Sequence, residues 1–167
     1  MIEAISIPKE RIRKFGRLKA RLEELTGVKI EVGREDYDTV SINDEDSLQV
    51  LLASKVVRAF GRGFDEETAL NLLDDQYDLD LVEIKDYCGK SDKRIDVLRG
   101  RVIGTKGKTK AAIEKYSETK LSIYGKTVGI IGVWKNILIA KQAVEMILMG
   151  SKHTSVYRFL EEQKVKI

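Results

Sequence analysis

Ile2, Ala4, Ile5 and Ile7 open the chain with an approximate apolar–polar alternation, which predicts a strand over Glu3 to Ile7 closed by Pro8. Lys9 to Phe15 reads as a short basic helix. Arg17 to Leu25 reads as a second helix, with Leu18, Leu22 and Leu25 at helical spacing, and Thr26-Gly27 stops it. Val28, Ile30 and Val32 alternate as a strand, Asp36 and Asp38 mark a turn, and Thr39 to Ile42 is the returning strand. Asn43-Asp44 is placed to cap a helix with Glu45 and Asp46 in its first turn. Leu48, Leu51, Leu52, Val56, Ala59 and Phe60 form the apolar face of that helix until Gly61 and Gly63 end it.

An additional helix over Asp65 to Leu73 and an acidic stretch over Asp74 to Asp80 lead into a second run of the same pattern. Leu79, Leu81, Glu83 and Lys85 fall on one side of a strand, with Val82 and Ile84 inside a short apolar run. A basic helix follows over Asp92 to Arg99, then a glycine turn, then a helix over Lys110 to Glu118 bearing Ala112, Ile113 and Tyr116. Strands over Lys120 to Tyr124 and Thr127 to Ile131 meet at Gly125-Lys126. Trp134 to Met149 is a long helix with Ile137, Ala140, Val144, Ile147 and Leu148 on one face; Gly150 stops it, and Ser155 to Gln163 adds a last helix.

The two runs are in register. Leu22, Leu25, Lys29, Ile30 and Val32 stand 91 residues before Ile113, Tyr116, Lys120, Leu121 and Ile123. Val40, Ile42, Leu52, Val56 and Phe60 stand 88 residues before Val128, Ile130, Ala140, Val144 and Leu148. A three-residue difference in the loop between the two small strands accounts for the change of register. The sequence therefore predicts two tandem α+β units, residues 1–76 and 77–167.

Charge separates these units. Residues 1–80 carry 12 Lys and Arg against 18 Asp and Glu, whereas residues 81–167 carry 18 against 9. Within Lys93 to Lys120 there are nine cations and three anions, so an anionic partner is drawn to the second unit. Composition narrows the chemistry further. One histidine, His153, and one cysteine, Cys88, leave no zinc site of ordinary ligand count and no internal disulfide framework. No window approaches the roughly eighteen consecutive apolar residues of a membrane span, and Met1 to Lys9 has no leader pattern. A cytoplasmic protein off the membrane, monomeric and without cofactor, metal or catalytic residues, is the expectation.

The lysine-rich turn Val102-Ile103-Gly104-Thr105-Lys106-Gly107-Lys108-Thr109-Lys110 lies inside the basic segment, between two helices. Its glycines let backbone approach another molecule closely, and Thr105 and Lys106 offer N–H groups, a hydroxyl and a cation. A sugar-phosphate chain suits that combination. Gly107-Lys108-Thr109 also ends like a nucleotide-binding P-loop, but such a loop needs glycine where Val102 stands and a strand where a helix is predicted. Asp74, Asp75, Asp78 and Asp80 lack calcium-loop spacing and read as a solvated connection. Tyr124 and Trp134 are candidates for stacking on bases, although at a helix start Trp134 reads rather as core.

A strand-helix-helix-strand-strand-helix unit with Ile103-Gly104-Thr105-Lys106-Gly107 between its first helices resembles a type I KH domain. Each such unit is a three-stranded sheet covered on one face by helices, here with extra helices after it. Two units in so short a chain, the phrase Arg99-Gly100-Arg101-Val102-Ile103-Gly104 and the strand within Ser117 to Gly125 resemble the archaeal small-subunit rRNA-processing factors. The partner-of-Nob and Krr-type ribosome assembly proteins are their eukaryotic relatives. The resemblance implies a grip on about four nucleotides of single-stranded RNA. Gly104 and Gly107 would admit the backbone, with Thr105 and Lys106 at the tip and Lys108 and Thr109 adding helix N-terminal donors. Arg99, Arg101, Lys108 and Lys110 would attract phosphates, and Val102, Ile103, Leu121 and Ile123 would floor a groove under the bases.

It further implies rRNA near the 3′ end of the small subunit as target, with a Nob-type endonuclease and a translation initiation factor subunit as partners. The first unit departs from the pattern. Ten positions separate Ile12 from Leu22, where eighteen separate Ile95 from Ile113, and only Gly16 stands in the shorter interval. Its cations Arg11, Arg13, Lys14, Arg17, Lys19 and Arg21 read as a solvated face, and the unit as a protein-binding or packing element. Two rivals stand beside the RNA reading: a protein scaffold with structural KH folds, and a general single-stranded nucleic-acid binder, since no residue is assignable to a 2′-hydroxyl.

Overall fold

The computed structural model describes residues 1–33 and 38–166, with side chains to 164. The turn expected at Asp36 lies outside the described residues. Two compact units emerge, Met1–Asp75 and Gln76–Ile167.

The first unit runs β1 (Ile2–Ser6), α1 (Lys9–Ile12), α2 (Gly16–Thr26), β2 (Lys29–Val32), β3 (Thr39–Asn43), α3 (Ser47–Gly61) and α4 (Glu66–Leu70), the last continued by a 3₁₀ turn over Asn71–Leu73. Its antiparallel sheet has the order β1-β3-β2, with Ile5 opposite Val40 and Ile30 opposite Ile42. Alternation decides the two faces. Ile5, Ile30, Val40 and Ile42 are buried with Leu18, Leu22, Val50, Ala53, Val57 and Phe60 of the helices. Ala4, Ser6, Lys29 and Glu31 stay exposed on the other face.

Three leucine expectations fail here: Leu48 is 60% exposed, Leu51 46% and Leu25, in the last turn of α2, 60%. Asp46, two residues beyond the expected cap, accepts the Leu48 N–H at 3.0 Å and starts α3 at Ser47. The buried face of α3 runs through Val50, Ala53, Val56, Val57, Ala59 and Phe60, so Val56, Ala59 and Phe60 lie where the periodicity placed them.

The second unit runs β4 (Tyr77–Glu83), α5 (Lys85–Cys88), α6 (Asp92–Ile103), a 3₁₀ turn (Thr105–Gly107), α7 (Lys108–Ser117), β5 (Lys120–Tyr124), β6 (Thr127–Val133), α8 (Trp134–Leu148) and α9 (His153–Lys166). The sheet order is β4-β6-β5, again antiparallel, with Leu121 opposite Ile130. Val82, Val128, Ile130 and Leu121 join Ile95, Leu98, Val102, Ile113 and the inner face of α8 in one core. Asp78 and Asp80 belong to β4 itself rather than to a solvated connection, and Asp80 pairs with Lys141 of α8 at 3.2 Å. Hydrogen bonding and attraction from Asp80 push the Lys141 pKa up. Trp134 is 59% exposed and thus not core.

The internal repeat extends to single hydrogen bonds. The Thr26 hydroxyl donates to the Leu22 carbonyl at 2.6 Å, and Ser117, 91 residues on, donates to the Ile113 carbonyl at 2.5 Å. The Glu23 carboxylate accepts the Ile30 N–H at 3.4 Å, as Glu114 accepts the Leu121 N–H at 2.9 Å. Each unit also ties the end of its long helix with an arginine. Arg11 donates to the carbonyls of Phe60 (2.8 Å) and Phe64 (2.6 Å), and Arg101 donates to those of Ile147 and Ser151 (both 2.6 Å). Carbonyls at a helix C-terminus lack intrahelical partners, so a guanidinium there satisfies two acceptors and opposes the negative end of the dipole.

Candidate nucleic-acid interface

α6 continues one turn past Arg99 and ends at Ile103, so the glycine turn is confined to four residues before α7 begins at Lys108. Gly104 has φ +76°, and its N–H donates to the Gly100 carbonyl at 2.8 Å. A Cβ on Gly104 would collide with the Thr109 hydroxyl and lie 2.8 Å from the Thr109 backbone nitrogen. Only glycine fits. Gly107 has φ +73°, but a Cβ there would point into open space. The two glycines thus differ: Gly104 closes the turn onto α7, and Gly107 leaves a bare, open outer surface. Lys106 between them takes φ +55°, a left-handed conformation that is uncommon for a lysine.

Within the turn the Gly107 N–H donates to the Gly104 carbonyl at 3.1 Å and the Lys108 N–H to the Thr105 carbonyl. Side chains of Asp46, Asp65 and Ser91 cap α3, α4 and α6, whereas no side chain caps α7. The first N–H groups of a helix have no intrahelical acceptor, and they carry the positive end of its dipole. Lys106 and Lys108 are exposed and Lys110 half-buried around this terminus. None of the three makes an ion pair within the described residues. An anion held here meets oriented N–H groups and uncommitted ammonium groups together, the combination that grips a phosphate.

Not every expected residue faces that surface. Arg101 is occupied by the carbonyls of Ile147 and Ser151, so it is a structural tie and not a phosphate hook. Val102 is fully buried and Leu121 is 4% exposed. Both pack in the core of the second unit, while Ile103 and Ile123 keep partly open surfaces. Thr109 is 2% exposed and its hydroxyl lies 3.1 Å from that of Tyr157, so the whole residue is packed behind the turn. Arg99 is part exposed beside Asp96, at 3.7 Å. Thr105 is exposed at the tip. The contact with Tyr157 has no signal in the sequence, since 48 residues separate it from Thr109.

Among the described residues the first unit has no equivalent surface. Arg13, Lys14 and Phe15 alone connect α1 to α2, and Phe15 is 1% exposed, its ring 5.9 Å from that of Phe60. An apolar plug stands where the second unit has its turn. Arg11 lies over the Phe60 ring at 4.1 Å, in addition to its two carbonyl bonds. Arg21 pairs with Glu66 and Glu67 at 2.7 and 2.6 Å, Arg17 with Glu66 at 3.5 Å, and Lys19 with Glu23 at 3.0 Å. Hydrogen bonds that the Arg21 guanidinium donates to Glu66 and then Glu67 raise its pKa. The basic face predicted from the sequence is largely neutralised within its own unit.

Comparison with known proteins matches both the second unit and the whole chain. Residues 78–165 match the family described as eukaryotic-type KH-domain (KH-domain type I), in its form as the second KH domain of PNO1. A KH domain-containing protein of Methanocaldococcus jannaschii is 43% identical over 172 residues, covering 99% of this chain and 75% of that protein. The pre-rRNA-processing protein pno1 of Schizosaccharomyces pombe is 41% identical over 103 residues, covering 60% of this chain and 42% of that protein. The chain thus spans less than half the length of this fungal relative. Among solved structures, a chain of the a/eIF2alpha–aDim2p–rRNA complex from Pyrococcus horikoshii superimposes with a TM-score of 0.91 at 39% identity, covering 100% of this chain and 96% of that one. With a glycine turn, an internal repeat and a relative matched along nearly the whole chain all pointing the same way, the chain belongs to the PNO1-type KH-domain family.

Proposed function

We propose that the protein binds single-stranded RNA and acts, without catalysis of its own, in maturation of the small ribosomal subunit near the 3′ end of its rRNA. The observation that carries this reading is the turn from Gly104 to Gly107, with uncapped N–H groups and three uncommitted lysines at the start of α7. The fungal relative's name as a pre-rRNA-processing protein supports it, and so does the rRNA named in the Pyrococcus complex. In this reading the chain comprises two tandem type I KH domains of βααββα order, residues 1–76 degenerate and 77–167 functional. Gly104, Thr105, Lys106, Gly107, Lys108 and Lys110 hold the phosphates, and Ile103 and Ile123 meet bases.

The first domain, acidic overall and presenting Leu48 and Leu51, takes protein contacts instead. An initiation factor subunit, of the kind named in the Pyrococcus complex, and a Nob-type endonuclease are its partners in this reading. The protein works as a cytoplasmic monomer. Among the described residues no helix is long and apolar enough to cross a membrane.

The test is binding of an oligonucleotide from the 3′ end of small-subunit rRNA, across a salt series, by wild type and by a Thr105→Asp/Lys106→Asp double variant. Wild type is expected to bind with salt dependence, and the variant to lose at least about tenfold in affinity while circular dichroism is unchanged. Equal binding by both proteins would move the RNA site away from the turn.

A further inference from the structure

The helix that follows each βααββα unit differs between the two. In the first unit α4 meets α2 through surface pairs, Arg17 and Arg21 with Glu66 and Glu67. In the second unit α9 is seated in the core, with Val156 and Leu160 fully buried, and it reaches both sides of the glycine turn. On the α6 side, the His153 imidazole Nε2 lies 2.9 Å from the Arg101 carbonyl, two residues before Ile103 ends the helix. On the α7 side, the Tyr157 hydroxyl lies 3.1 Å from that of Thr109. The two rings stack on each other, 6.4 Å apart at 24°. Thr109 is the same residue against which Gly104 closes, and Tyr116 of α7 receives the Lys164 ammonium over its ring at 5.4 Å.

We propose that α9 is a brace for the turn, in which Tyr157 and His153 are positioning residues that fix the uncapped end of α7 against the end of α6. The proposal rests on the RNA-binding reading above and deepens it. The turn is conformationally costly: two glycines at positive φ and a left-handed lysine must be fixed, and glycine loses the most conformational freedom on being fixed. A phosphate grip needs its N–H groups aligned before the ligand arrives, since ordering them on binding subtracts from affinity. The ring pair supplies that alignment from behind. It touches α6 and α7 but leaves the outer surface of Gly107 open. Tyr157 and His153 then influence RNA without contacting it.

The experiment compares wild type, Tyr157→Phe, Thr109→Val and Lys106→Ala. For each, amide hydrogen exchange across residues 104–110 is followed by NMR without RNA, and affinity for the rRNA 3′-end oligonucleotide is measured across salt. Tyr157→Phe keeps the ring and removes only the hydroxyl, so the fold is retained and Ile130 and Val144 amides exchange as in wild type. Faster exchange confined to the turn, with affinity lower by about fivefold, is the expected result. The salt slope is expected to stay at the wild-type value in Tyr157→Phe and to fall by about 0.7 in Lys106→Ala, because only the lysine releases a counterion. Thr109→Val is expected to reproduce Tyr157→Phe, since both remove the same contact. Unchanged exchange in the turn overturns the brace, and so does faster exchange with undiminished affinity. If wild type binds no RNA, the functional reading falls by itself, and exchange in the turn alone decides whether α9 holds it.

Discussion

Two glycines three residues apart do separate jobs, and substitution by alanine distinguishes them. Gly104→Ala places a methyl group against the hydroxyl and backbone of Thr109 at a positive φ, so a loss of about 2 kcal/mol is expected in denaturant unfolding. Gly107→Ala meets no neighbour and is expected to lose only about 1 kcal/mol, from its backbone conformation, while RNA affinity falls because the bare surface is filled. Both glycines and the three lysines are readable from the sequence, because a Gly-x-x-Gly between two predicted helices already specifies a tight, open turn. Val102 and Leu121 are misread for a physical reason: one side of a helix or strand faces the groove and the adjacent position faces the core, and both carry aliphatic side chains. Arg101 is misread because its acceptors lie 46 and 50 residues away, where no local pattern reaches.

Elements are legible where periodicity is strong and blurred where charge or small residues carry the signal. The 91-residue register found from five side chains reappears as matched hydrogen bonds from Thr26 and Ser117 and from Glu23 and Glu114. By contrast, the short α5 (Lys85–Cys88) leaves no mark in the pattern, since four residues carry no period. α3 buries Val50 and Ala53 rather than Leu48 and Leu51, because apolar side chains stand on both faces of its first turns and leave the periodicity ambiguous there. The tie between α6 and the end of α8 is testable at this scale. Arg101→Met keeps most of the stem and removes two charge-assisted hydrogen bonds, leaving Ile147 only the Gly150 N–H, and a loss of about 2 kcal/mol in denaturant unfolding is expected. The salt slope of RNA binding is expected not to change, which separates this arginine from a phosphate contact.

On the scale of the whole molecule, charge is divided unevenly and used unevenly. The first unit commits Arg11, Arg17, Lys19 and Arg21 to its own carbonyls, carboxylates and rings, while Lys106, Lys108 and Lys110 of the second pair with none of the described residues. Replacing those three lysines by alanine is expected to lower the salt slope of RNA binding by about 2, as three released counterions on a single strand imply. Arg13→Ala/Lys14→Ala is expected to leave the slope within error, because the first unit offers no turn for these cations to serve. Titration of the oligonucleotide by fluorescence anisotropy at four salt concentrations measures both.

Phe15 carries this asymmetry into the protein's history and its engineering. Its ring fills the place between α1 and α2 that a gripping turn would need, in an interval of ten residues where the second unit uses eighteen. Point substitutions cannot lengthen that interval, and removing the ring first would open a cavity beside Phe60. A gripping first unit would demand an insertion and a core repair at once. On the RNA-binding reading proposed above, the molecule has two copies of a scaffold but, among the described residues, a gripping turn in one of them. In that reading a variant that damages the turn at Gly104 finds no substitute in the first unit.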